Sequence, residues 1–215
     1  MKKLLCLVLA AFMIFSLVGC TGNQVPSKST TYTVPATVGA GDTALSDFFG
    51  GKVSEKLSGY APVLFSFAIA LNEYPEVLTQ TPDSNFGWAY LYNMLAVYDL
   101  RPSGVTASEG TIIATLEAVN QLQFDTLGGK LWIAPGDDYV DRVTYSPVDQ
   151  KFTCVDADDS NFACEITAAS LNADTGCADI TVTVTADGTT TGYIISMRAD
   201  KDSAYSYVIA TFAAA

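Results

Sequence analysis

The stretch DITVTVTADGTTTGYIISM, residues 179–197, constrains the fold more than any other part of the chain. Ile180, Val182 and Val184 alternate with Thr181, Thr183 and Thr185, and a period of two is that of a strand with one apolar and one polar face. Asp187-Gly188 in its middle is the signal of a type I′ hairpin turn, which needs two positive-φ residues. A two-residue loop there sets Val184 opposite Thr191, Val182 opposite Tyr193 and Ile180 opposite Ile195. The apolar side chains then share one face and the threonines the other. Such a sheet is covered on one side only.

The same period runs through the rest of the C-terminal half. A last strand is expected over Ala204–Thr211 after a three-residue loop at Asp200–Asp202, with Tyr205, Tyr207 and Ile209 beside Met197, Ile195 and Tyr193. Earlier strands are expected at Leu131–Ala134, Tyr139–Tyr145, Lys151–Asp156 and Phe162–Thr167. Turns at Pro135-Gly136-Asp137, Ser146-Pro147 and Asp156–Asn161 separate them. A hairpin turning around Asp159 puts Cys154 opposite Cys164, within the separation a disulfide bridges, which makes that pair the disulfide candidate and leaves Cys177 unpaired; buried free thiols and a Cys164–Cys177 bridge are the alternatives.

Before Gly128-Gly129 the spacing is helical. Asp42 or Thr43 can cap a first helix carrying Leu45, Phe48, Phe49 and Val53, with Gly50-Gly51 able to break it. Ser58 can cap a second, with Pro62 in its first turn and Val63, Leu64, Phe67 and Leu71 on its apolar side. The run Ala61–Leu71 is too short to cross a bilayer and reads as a buried helix. Asp83 or Ser84 can start a third helix that is apolar nearly all round, from Phe86 to Tyr98, which calls for a central, many-sided burial. Thr106 and Glu109 have capping-box spacing ahead of a fourth, with Ile112, Ile113, Leu116, Val119 and Leu122 on its stripe. The expectation is therefore one α+β domain over residues 42–215, helical over 42–127 and β over 130–213. Its N-terminal helices pack on one face of a C-terminal antiparallel meander.

Composition closes off several functions. With 11 basic and 23 acidic residues the net charge is −12, so a nucleic-acid partner would be repelled. Histidine is absent, which removes the commonest neutral-pH base and zinc ligand. The run Asp156–Asn161 starts like a calcium loop, but Asn161 stands where glycine is needed and Thr167 where a bidentate carboxylate is needed, so it reads as a hairpin turn. No Ser-x-x-Lys, Gly-x-Ser-x-Gly, phosphate-loop or dinucleotide fingerprint occurs in the sequence. No metal or cofactor is expected. Trp88, Tyr90, Tyr92 and Tyr98 could line a sugar-stacking surface, but on an all-apolar helix such residues are more often core.

The N-terminus carries an address. Lys2 and Lys3 precede an apolar run from Leu4 to Val18, shorter than the ~20 residues of a spanning helix. It ends in Leu17-Val18-Gly19-Cys20, which resembles the lipobox of bacterial lipoproteins. The resemblance covers residues 1–20 alone. It implies that residues 1–19 are a cleaved signal peptide and that Cys20 becomes the diacylglyceryl-modified N-terminus, held in the membrane by acyl chains. Loss of Lys2 and Lys3 would take the net charge from −12 to −14, so anionic headgroups offer nothing and the lipid must do the holding. Residues 20–41, rich in Thr, Ser, Gly and Pro, read as a tether.

The expected protein is thus an extracytoplasmic lipoprotein with a non-catalytic binding or interaction domain, facing an envelope protein or glycan. A small-ligand or carbohydrate binder using the Trp/Tyr surface is the alternative, and a carboxylate-dependent envelope hydrolase the remaining class.

Overall fold

A computed structural model describes residues 32–129, 134–157 and 161–215. The signal peptide, Cys20, most of the tether and nearly all of the expected Leu131–Ala134 strand lie outside these residues, as does the 158–160 turn. The order of elements is α1 (Thr43–Phe48), α2 (Val53–Glu73), a 3₁₀ turn (Pro75–Leu78) and α3 (Ser84–Tyr92), which runs on as a π-helical turn to Val97. Then come β1 (Val105–Ser108), β2 (Thr111–Thr115), α4 (Leu116–Leu127), a 3₁₀ turn (Asp137–Tyr139), β3 (Val143–Ser146) and β4 (Lys151–Val155). The chain closes with β5 (Ala163–Leu171), β6 (Ala178–Ala186), β7 (Thr189–Ala199) and β8 (Tyr207–Ala214). The class is α+β, with helices ahead of a C-terminal antiparallel meander.

That meander is a four-stranded sheet in the order β5-β6-β7-β8. Its central register is the one the alternation dictates: Val184 opposite Thr191, Val182 opposite Tyr193, Ile180 opposite Ile195. Asp187 and Gly188 take φ of 51° and 77°, as a type I′ turn demands. Val182 and Ile195 are fully buried while Thr181, Thr183 and Thr185 stay partly exposed. The last strand begins later than expected. Ser203 Oγ donates to the Asp125 carbonyl at 2.6 Å and Ala204 N to Asp125 Oδ1 at 2.9 Å, which holds the 200–206 turn against α4. A bulge at Ser196/Met197 then sets Ile209 opposite Met197 and Phe212 opposite Ile195.

The expected fourth helix is the larger correction. Thr106 and Glu109 do not cap anything. Glu109 and Gly110 have φ of 41° and 76° and turn a hairpin in which Ser108 faces Thr111. The β-branched run Thr111-Ile112-Ile113 takes the strand, a conformation it favours, and the helix waits until Thr115, whose Oγ1 accepts from Ala118 N at 3.1 Å. This hairpin founds a second four-stranded sheet in the order β1-β2-β4-β3. The C-terminal half is therefore split between two sheets rather than laid out as one. Tyr139 stands in a 3₁₀ turn, and the strand expected from it starts at Val143.

Two further expectations shift. α2 starts at Val53 rather than Ser58, so Pro62 sits inside it; Ser66 Oγ donates to the Pro62 carbonyl at 2.7 Å. Residues 32–41, expected in the tether, are packed on the body. Val34 and Val38 are buried, Val34 N donates to Ser58 Oγ at 3.1 Å, and the Tyr32 ring lies edge-on to Phe65 and Tyr98 at 5.5 Å each.

α2, about 31 Å long at 1.5 Å per residue, covers the apolar face of the β5–β8 sheet. α3 packs against α2 and, on its other side, meets the second sheet where Trp88 touches Phe152 at 4.7 Å between ring centroids. α3 is apolar all round because it has protein on both sides. Side chains from both sheets and the helices join in one continuous core.

Candidate functional site

The thiols do not meet. Cys154 lies on β4, opposite Ile112 and Val143, whereas Cys164 lies on β5, opposite Val184, in the other sheet. β4 finds both its neighbours within its own sheet, so the hairpin that would have joined the cysteines does not form. Cys154, Cys164 and Cys177 are free. Burial pushes the Cys154 thiol up to about 12 and the Cys164 thiol up to about 11, although the Tyr98 hydroxyl hydrogen-bonds Cys164 and pulls it down. Thiols held that far above neutrality are poor nucleophiles.

The aromatic quartet is core. Trp88 and Tyr90 are fully buried and Tyr92 is 7% exposed, while Tyr98 stacks edgewise on Tyr32. Trp88, Tyr90 and Tyr92 therefore offer no ring to a ligand, and the half-buried Tyr98 is engaged by Tyr32 and Phe65. Tyr139 instead joins a lock between segments: its hydroxyl donates to Glu73 Oε2 at 3.2 Å, and the Arg142 guanidinium stands 5.7 Å from its ring centroid and 5.8 Å from that of Tyr92. Burial raises the Glu73 carboxyl above the ordinary glutamate range, with the Tyr139 hydrogen bond and Arg142 opposing. Tyr74 donates to Asp138 Oδ2 at 3.0 Å and Asp138 N to Asn85 Oδ1 at 3.2 Å. These bonds tie the 137–142 segment to the ends of α2 and α3. Among the described residues no three His, Cys, Asp or Glu side chains could hold a metal ion.

Among the described residues, open depressions include two on the surface. One, of about 460 Å³, lies where residues 36–43 meet the start of α2. Its charged groups are occupied: Lys52 pairs with Glu55 at 2.9 Å, and Asp42 accepts from Leu45 N at 2.9 Å and Leu171 N at 3.1 Å. The other, of about 290 Å³, runs along the solvent side of α4 and is lined by Leu116, Glu117, Asn120, Gln121, Phe124 and Gln150.

α4 inverts the usual pattern at this place. It buries Gln123, Asp125 and Thr126 and leaves Phe124 half exposed. The buried polar groups are answered, with Gln123 Nε2 donating to Val119 O, Thr126 Oγ1 to Leu122 O, and Asp125 accepting from Ala204 N. Residues 116, 120 and 124 recur every four positions and so form one stripe, with 117 and 121 beside it. Gln150 enters from the β3–β4 turn with φ of 51°, and its carbonyl accepts from Leu116 N at 2.8 Å, which fixes the turn to the helix. Asn120 Oδ1 is buried without a hydrogen-bond partner. Sequence reasoning missed this surface, although Phe124 lies on the side of the helix away from Val119 and Leu122. An aromatic on that side was the available signal.

No family model matches the chain, and no characterised protein or solved structure is significantly similar to it.

Proposed function

We propose that the chain is a lipid-anchored extracytoplasmic lipoprotein whose folded domain binds an envelope component without transforming it. The observation that carries the anchor is the order of Lys2-Lys3, the apolar run to Val18 and Leu17-Val18-Gly19-Cys20. The described helices fit that reading, since none of them is long and apolar enough to cross a membrane. Because Tyr32 is packed on the body, an acylated Cys20 stands twelve residues from the domain, at most roughly 40 Å of chain. The domain then works close to the bilayer surface.

Binding rather than catalysis is favoured by the absence of histidine from the sequence and by the raised thiols of buried Cys154 and half-buried Cys164. Glu73, the carboxyl with an upward shift, is engaged by Tyr139 and serves the packing of segments. Exchange of Cys20 for Ala tests the anchor. The wild type should sediment with membranes, and the variant should accumulate as unprocessed precursor or as soluble protein. A variant that is processed and membrane-bound like the wild type contradicts the proposal.

A further inference from the structure

We propose that the depression on α4 is a carbohydrate subsite that takes one or two residues of a neutral oligosaccharide, with a sugar ring stacked on Phe124 and its hydroxyls bound by Asn120, Gln121 and Gln150. This rests on the reading of the domain as a binder and names its ligand class.

The lining selects the ligand. Phe124 is half exposed on a helix, so its ring offers an apolar face to solvent, and the C–H face of a sugar is the complementary flat surface. Around it stand three amides, each with a donor and an acceptor end, the pattern that matches hydroxyl groups, which also do both. Gln121 Nε2 is anchored by Asp125 Oδ1 at 3.1 Å, which leaves its carbonyl oxygen for a ligand. Asn120 lines the depression and its Oδ1 is left without a donor by the protein, so a sugar hydroxyl is the kind of partner this place lacks. The lining holds Glu117 and no Lys or Arg, so an anionic ligand would find a carboxyl and no cation. At about 290 Å³ the space is at the small end of ligand clefts, roughly 300–1,000 Å³, and suits a short saccharide rather than a helical peptide. A membrane surface would require several apolar side chains with basic neighbours, which this lining does not offer.

The full-length chain, purified in detergent, is titrated with cellotetraose, maltotetraose, chitotetraose and, as the charged control, tetragalacturonate. Calorimetry should show at least one neutral tetrasaccharide binding with a Kd of about 1 mM or tighter, and tetragalacturonate at least about tenfold weaker. Phe124→Ala should weaken that binding about tenfold or more with an unchanged melting temperature, and Phe124→Trp should keep it. Asn120→Ala should weaken it too. No binding by any neutral probe, equal binding of the acidic one, or binding that survives Phe124→Ala would overturn the proposal. Its failure is separable from failure of the anchor, which is read from processing and not from sugar.

Discussion

The Trp88 and Phe152 rings lie with centroids 4.7 Å apart and planes inclined by 47°, and through them the helical layer is joined to the second sheet. Phe152 is in turn stacked on Tyr145 at 4.6 Å. Both Trp88 and Phe152 are fully buried, yet Trp88 Nε1 has no hydrogen-bond partner. Phe152→Ala should therefore cost about 3–5 kcal/mol in urea unfolding. Trp88→Phe should cost well under half of that, because the group removed is partly an unsatisfied donor. Equal losses would show that the indole N–H is satisfied after all.

The meander can be tested by its faces. Val182→Ala, at a fully buried position, should cost about 1–4 kcal/mol, and Thr183→Ala, on the open side, about 0.5 kcal/mol or less. Reversal of that order would overturn the register.

The hairpin at 179–197 was legible because each local rule pointed the same way: alternation, turn residues and pairing all agree at Val182 and Tyr193. Helix caps at Asp42 and Asp83 were legible for the same reason; their carboxylates accept from Leu45 N and Phe86 N. The 105–115 hairpin was not, because Thr106 and Glu109 satisfy a capping-box spacing while Ile112 and Ile113 carry strand preference, and only pairing with β4 decides between them. Cys154 and Cys164 failed in a related way. Sequence proximity suggested a hairpin, but strand partners drawn from far along the chain took precedence. The α4 surface was half legible: Phe124 on the side away from Val119 and Leu122 was visible, whereas Gln150 reaches it only through tertiary contact.

Thiol chemistry should follow burial. At about pH 8 in the native state, Cys154 and Cys164 should resist alkylation, held up to about 12 and about 11, while Cys177 near the 172–177 turn should react first. Peptide mapping after a short pulse of iodoacetamide reads this directly. A bridge between Cys154 and Cys164, or their labelling ahead of Cys177, would contradict the two-sheet arrangement.

Glu73 should make stability fall with rising pH. Glu73 stays partly open to solvent, and desolvation of its carboxyl beside Tyr139 raises its folded-state value, so the folded chain holds that proton somewhat more tightly than the unfolded one. The contribution is complete below the ordinary glutamate value and is lost as pH climbs through the raised one. Urea midpoints from about pH 4 to pH 8 should therefore decline more steeply for the wild type than for Glu73→Gln, whose amide oxygen still accepts from Tyr139. Parallel curves would show that Glu73 titrates as an ordinary surface carboxyl.

The central claim is that this domain is delivered outside the membrane on a lipid. Intact-mass and N-terminal peptide analysis of protein extracted from membranes tests it most directly. The chain should begin at Cys20, lack residues 1–19 and carry a diacylglyceryl group on the thiol. An unmodified Cys20, an uncleaved Met1, or cleavage at another bond would contradict it.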